Sequence, residues 1–322
     1  MPLNRSWLIA GYVMSALGAM LFATKGVVAK LIYAHGVEVL SLLALRMLLS
    51  VPIFVAVGIV VWRSRPRHER PERRALAAAA IVGIIGYHLS SLLDFEGLAR
   101  IDAQSERLIL FTYPFLVILL GRLIYRRPLA PHAVAGALIS YAGVAMMFGG
   151  ATMFGGAPTR LTDTALTGGG FVLAAAISFA FYQLFAREVI VQCGAALFTA
   201  VAMSSAGMTL LTQFALTHPL SALAVERSAW PLIVVLALFA TVAPAFLMAA
   251  GTARVGAQGN AIIATLSPTV TIVLAVALLG EPFGWPEALG TLLVLAGVGL
   301  FTLVDARRAR LARSMEPVLD EP

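Results

Sequence analysis

Charge is scarce in this chain: 12% of its 322 residues are Asp, Glu, Lys or Arg, whereas 60% are hydrophobic, and the mean hydropathy is +0.91. So few polar side chains cannot clothe a water-facing globule, which excludes a soluble domain. Cysteine is scarcer still, and the lone Cys193 excludes an intramolecular disulfide and any cysteine-cluster metal site. No HExxH pair is present to hold zinc and no GxxxxGK[ST] loop to cradle a nucleotide phosphate, so neither metal nor cofactor is expected, and no intrinsic ATPase drives the chain. The short alternating strands of a membrane barrel are missing as well.

What the sequence does have is long apolar runs. A hydrocarbon core of roughly 30 Å takes about 20 apolar residues of helix. Ten runs of that kind are predicted, at 7–31, 39–62, 75–97, 102–123, 130–149, 168–187, 195–216, 229–251, 256–279 and 285–304. Between them lie a basic stretch at 63–74 and a Gly/Thr/Pro-rich linker at 150–167, and a tail at 305–322 begins basic, ends acidic and is expected to fray. With the N-terminus inside, sixteen of the 23 Lys and Arg fall on the cytoplasmic side, and only Lys30, Arg100, Arg160 and Arg227 fall outside. That bias predicts cytoplasmic N- and C-termini in a bacterial-type inner (plasma) membrane. The +7 charge is then a basic face toward anionic lipid, and no nucleic-acid partner is expected.

The runs are duplicated. A shift of 154 positions lays ARIDAQSERLILFTYPFLVILL (99–120) on ARVGAQGNAIIATLSPTVTIVL (253–274) without a gap. Gly97/Gly251, Arg100/Arg254, Gln104/Gln258, Pro114/Pro268, Gly136/Gly290 and Gly143/Gly297 coincide in that register. Composition alone would not align glycines, prolines and a glutamine. The fold class expected is therefore all-α integral membrane, ten transmembrane helices in two five-helix repeats at 7–149 and 168–304. An odd number of spans per repeat makes the second enter the membrane in the opposite sense. Inverted-topology repeats are the architecture of secondary transporters, with the site near the midplane between the halves.

Particular residues carry a family likeness. LFATKGVVAK at 21–30, ALRM at 44–47, ERLILFTYP at 106–114 and the AGV closing each half, together with the ten-span duplication, resemble the EamA-type drug/metabolite transporter superfamily. The resemblance runs from about Gly11 to Thr302. It implies two EamA repeats around a central cavity, lined mainly by helices one, three and four and their counterparts six, eight and nine. It implies no particular substrate. Where many members carry a Trp-Gly pair in helix one, this chain has Phe22-Ala23.

Ionisable residues inside a span are costly and mark functional sites by default. Here Lys25, Arg46, His88, Asp94, Glu96, Glu106 and Arg107 crowd the first half, while the second offers Gln183, Gln258 and Asn260, with Tyr182 nearby. Two readings stay open. As internal staples, Lys25 pairs with Glu106, and Arg46 or Arg107 with Asp94 or Glu96. As a working site, Lys25 and Arg46 or Arg107 hold a substrate carboxylate or phosphate, and Glu106 is a proton-linked gate. Glu106, Leu110 and Tyr113 recur at i, i+4 and i+7, which places Glu106 and Tyr113 on one face. His88 reads first as a packed histidine donating to a backbone carbonyl and second as a proton carrier. Pro114 and Pro268, mid-span at matched positions, are expected to bend helices four and nine and free a carbonyl near a site, flanked by Thr112, Thr265 and Ser267. Gly136, Ser140, Gly143, Gly290 and Gly297 form small-residue faces for helix packing or a homodimer.

The function expected is a secondary transporter of the exporting kind, moving a small polar or amphipathic metabolite by alternating access, with proton coupling open. A non-transporting receptor or scaffold and an integral-membrane lipid-modifying enzyme are the alternatives. An enzyme has no need of an inverted duplication with matched helix-breaking prolines, and no catalytic residue is assigned. The partners expected are a small-molecule metabolite and membrane lipid.

Overall fold

A computed structural model of the chain describes residues 5–126, 130–153, 162–264 and 266–315. These form α1 (Arg5–Tyr33), α2 (Val39–Ser64), α3 (Arg73–Leu98), α4 (Ala103–Tyr125), α5 (Pro131–Met153), α6 (Asp163–Cys193), α7 (Ala195–Thr217), α8 (230–264), α9 (Leu266–Leu279) and α10 (Trp285–Met315). Side chains at 5, 149–153, 256–262, 264, 305–306 and 308–315 fall outside the described set. The candidate Asn260 and its neighbour Gln258 are among them, and Thr265 lies outside the described residues altogether. Among the described residues, nine helical stretches are long and apolar enough to cross a membrane, and α9 has 14 residues.

Helices pack chiefly on the other half rather than on their own. α5 lies against α10 and α2 against α7; α1 packs on α8 and α9, as α6 packs on α3 and α4. Each of these contacts maps onto itself or onto another when the two halves are exchanged. Side chains of one core, including Ile32, Leu43, Phe95 and Leu236, are drawn from α1, α2, α3 and α8.

Glycine sets the closest approaches. A Cβ at Gly136 would stand 2.6 Å from the Gly297 carbonyl, and one at Gly143 would stand 2.6 Å from that of Gly290. Only hydrogen fits at such crossings. Ser140 lies between, its hydroxyl donating to the Val294 carbonyl at 3.2 Å. The pairs run in reverse order along the two helices, so α5 and α10 cross antiparallel with matched residues exchanged. These small-residue faces are thus used within the chain. Gly97 against Gly168 and Gly251 against Gly11 repeat the device where α3 meets α6 and α8 meets α1.

The helices depart from regularity at matched places. α3 opens into a π-turn at Ile84–Leu89, and α8 does so at Leu238–Val242, one repeat length later. A glycine at 86 admits the Tyr182 ring, which would lie 2.3 Å from a Cβ there. α4 is interrupted at Phe111 and Thr112, where its second part restarts at Tyr113 with Pro114 in its first turn, the position at which a missing N–H costs no helical bond. In the second half, Ser267 and Pro268 of α9 are buried.

Two boundaries differ from expectation. A loop was predicted at 252–255, yet α8 continues through it to Ala264. The first half turns at the equivalent place because Asp102 caps a new helix, its Oδ1 accepting the Ser105 N–H at 2.7 Å. Gly256 stands at the matching position and offers no such acceptor. The tail was expected to fray from Asp305, but α10 runs to Met315, consistent with the Ala, Leu and Arg of ARRARLAR being good helix formers.

Candidate functional site

The first-half ionisable residues come together as one buried cluster. Lys25 of α1 places its ammonium 2.5 Å from Asp94 Oδ2 of α3, and both side chains are almost fully buried. Arg107 Nε stands 4.0 Å from Glu106 Oε2, both on α4. Arg46 of α2 donates to the Ser91 hydroxyl at 3.3 Å, and its Nε has no hydrogen-bond partner. Two aromatic rings sit between the cations. Lys25 and Arg107 each lie 5.3 Å from the Phe22 centroid, while Arg46 and Lys25 lie 4.9 and 5.4 Å from that of Phe95. Rings at these distances soften the cost of holding cations out of water.

The partners differ from those expected. Lys25 takes Asp94, not Glu106; Arg46 takes a serine, not a carboxylate; and Glu96 pairs with Arg100 at 2.6 Å, near the helix end. The π-turn explains the first change. Its extra residue turns the end of α3 by about 100° relative to a regular helix, which resets the face on which Asp94 emerges. Glu106 is left with neither carboxyl oxygen hydrogen-bonded, facing the Asp94 carboxyl at electrostatic range and packed on Gly26, where a Cβ would lie 3.1 Å from Oε2.

The start of α4, which carries Glu106 and Arg107, is held from both halves. Asp102 caps it from its own half. Glu281, in the turn between α9 and α10, accepts the Ala103 N–H at 2.7 Å and the Gln104 N–H at 3.2 Å. The Gln104 side chain donates to the Pro282 carbonyl at 3.3 Å. Burial pushes the Glu281 carboxyl above its ordinary value and Asp102 adds to the rise, while the backbone donors oppose it. Sequence reasoning missed Glu281. Its signal is that it stands outside the apolar runs, opposite Arg127 in the repeat register, in a turn otherwise short of acids.

The remaining candidates gather elsewhere. Tyr113 turns away from Glu106, because the interruption at Phe111 and Thr112 resets the helical register between them. Its ring meets Phe179 edge-on at 4.9 Å, and its hydroxyl faces the Gln183 side chain. Tyr87 and Tyr182 join hydroxyls at 3.0 Å beside them, so an aromatic cluster joins α3, α4 and α6. His88 lies next to it, half-buried, and its Nδ1 has no hydrogen-bond partner, contrary to a histidine donating to a backbone carbonyl from that atom. Thr112 donates to the Ile109 carbonyl at 2.7 Å, whereas the Ser267 hydroxyl, beside Pro268, is buried with no partner.

This arrangement can hold charge away from water inside a duplicated helical bundle. The sequence profile of the EamA-like transporter family matches residues 9–149 and again 166–303. The chain belongs to the EamA-like transporter family. The chain is 29% identical over 287 residues to the protein named uncharacterized transporter YcbK of Bacillus subtilis, covering 87% of this chain and 89% of that one. It is 28% identical over 248 residues to uncharacterized inner membrane transporter YicL of Salmonella typhimurium, covering 76% and 78%. A crystal structure sharing 19% identity superposes with a TM-score of 0.61 over 93% of this chain and 98% of the other, so the two share a fold. This is a multi-pass membrane protein of the EamA-like transporter class.

Proposed function

We propose that the chain is a secondary transporter of the inner membrane, exporting a small polar or amphipathic metabolite by alternating access between two inverted five-span halves, with both termini cytoplasmic. The observation that carries this reading is the pair of π-turns, Ile84–Leu89 and Leu238–Val242, at equivalent positions of the two halves. Irregular backbone at membrane depth survives only where protein repairs it or a cavity needs it, and duplicated interruptions point to a transport site. The antiparallel crossing of α5 and α10, with Gly136 on Gly297 and Gly143 on Gly290, supports the inversion. α9, Leu266–Leu279, is a tenth apolar helix, which supports ten spans.

Glu106 is the proton-coupling group in this reading. Its carboxyl is fully buried, faces another carboxyl and lies beside Arg107. Moving it between dry and wet surroundings changes how firmly it keeps a proton, so a cavity that alternates its exposure ties proton movement to solute movement. The experiment is counterflow in proteoliposomes loaded with pooled metabolites. A solute that exchanges chemically unchanged supports the transporter; binding without flux favours a receptor, and recovery of a modified product favours an enzyme.

A further inference from the structure

Among the five ionisable residues of the buried cluster, donor capacity is left over on the two arginines, Arg46 and Arg107. Lys25 is committed to Asp94, and Arg107 reaches Glu106 and the Phe22 carbonyl, the latter at 3.4 Å. Arg46, 3% exposed, spends one NH2 on Ser91 and leaves its Nε buried without a partner. Arg107, also 3% exposed, likewise has no hydrogen bond at Nε. Three cations, Lys25, Arg46 and Arg107, stand against two carboxylates, Asp94 and Glu106, so the cluster is short of one negative charge when all are ionised.

An uncompensated guanidinium buried in a low-dielectric interior is expensive, and a bound anion repairs it. A guanidinium also offers a planar fork that matches a carboxylate with two parallel hydrogen bonds. The walls beside the fork are apolar: the Phe95 ring lies under Arg46 and the Phe22 ring under Arg107. Such walls suit an organic group better than a hydrated inorganic ion.

We propose that Arg46, supported by Arg107, is the anchor for a single carboxylate on the transported solute, which makes the substrate class small organic acids or zwitterions carrying one carboxylate beside an apolar or polar body. This rests on the transporter reading and deepens it. Lys25 and Asp94 serve as a structural pair that shapes the site, and the anion is taken by the cation that has no carboxylate of its own.

The test uses the full chain purified in detergent, with a panel of small monocarboxylates and amino acids, their uncharged amides, and inorganic phosphate. A ligand at roughly 100 times its dissociation constant that binds only the folded chain raises the melting temperature by several degrees. The expected result is a shift with one or more acids, none with the matching amide and none with phosphate. Arg46→Gln should weaken that binding about 10-fold or more, and Arg46→Lys should recover part of it as a point charge without the fork. The comparison of acid with amide needs no variant, so poor folding of Arg46→Gln leaves it decisive. A melting temperature unmoved by every acid, moved equally by acid and amide, or moved equally in wild type and Arg46→Gln overturns the proposal. A shift with phosphate alone assigns the fork to inorganic anions and overturns the organic acid. Counterflow separates the two levels of inference: exchange of a neutral or cationic solute keeps the transporter and removes the carboxylate, whereas absence of exchange for any bound solute removes the transporter itself.

Discussion

Glu281 of the second half accepts the backbone N–H of Ala103 in the first at 2.7 Å. The contact is a helix cap supplied from 178 residues away. Because burial and Asp102 raise the carboxyl more than the two N–H donors lower it, the folded chain holds that proton more firmly than the unfolded chain. The stability gained from the proton is therefore complete below the ordinary value of 4.5 and is lost as pH rises through the elevated folded-state value. Glu281→Gln keeps one acceptor and removes the titration; it should melt no lower than wild type at neutral pH and lose that part of the pH dependence. Glu281→Ala leaves two N–H groups uncapped and should cost about 1 kcal/mol at neutral pH and more at low pH, where wild type gains from the proton. Melting curves of the three proteins between pH 4 and pH 8 decide the matter. Identical pH profiles for wild type and the glutamine variant would refute it.

Lys25→Met should destabilise the fold by roughly 3 to 5 kcal/mol, because it leaves Asp94 buried without its cation. Adding Asp94→Asn should restore most of that loss, since the orphaned charge is then gone. Chemical unfolding of the two single variants and the double measures the coupling. Additive losses would mean that the two residues do not act as a pair.

Gly297→Ala should be more damaging than its one methyl suggests. Its Cβ would lie 2.4 Å from the Gly136 carbonyl, and backbone there cannot swing aside as a long side chain can. A loss of about 1 to 3 kcal/mol is expected. Gly299→Ala, on the same helix with nothing near its would-be Cβ, is the control and should be neutral or slightly stabilising.

Glu106→Gln keeps the shape of the side chain and removes its proton. Counterflow should persist in this variant, while uptake driven by a pH gradient should fall to the level seen without the gradient. Retained gradient-driven accumulation would sink the coupling role.

Much of this architecture could be read from single residues. Gly136 with Gly290 and Gly143 with Gly297 announced a repeat, and they turned out to touch one another across it. The glycines were legible because close backbone contact tolerates no other residue, so the constraint is written at one position. Pro114 marked a helix break for the same reason. Partner choice inside the cluster was not legible. Whether Lys25 meets Asp94 or Glu106 depends on the rotation of α3 beyond its π-turn, and that turn arises from packing on Tyr182 and α7 rather than from any local residue preference. Nor could Glu281 be placed, since a cap acting across the chain leaves no periodicity behind.

The pairing of each helix with the opposite half has a consequence for how the molecule is made. During synthesis α1 enters the membrane about 200 residues before α8, the helix whose Gly251 it must meet, is finished. Until then Gly11, Gly97, Gly136 and Gly143 face lipid with their grooves unfilled, so the first five helices wait as loosely associated rods and lock together only when their later-made counterparts arrive. Either half produced alone should therefore be a substrate for membrane quality-control proteases, and the two halves made as separate chains should protect each other.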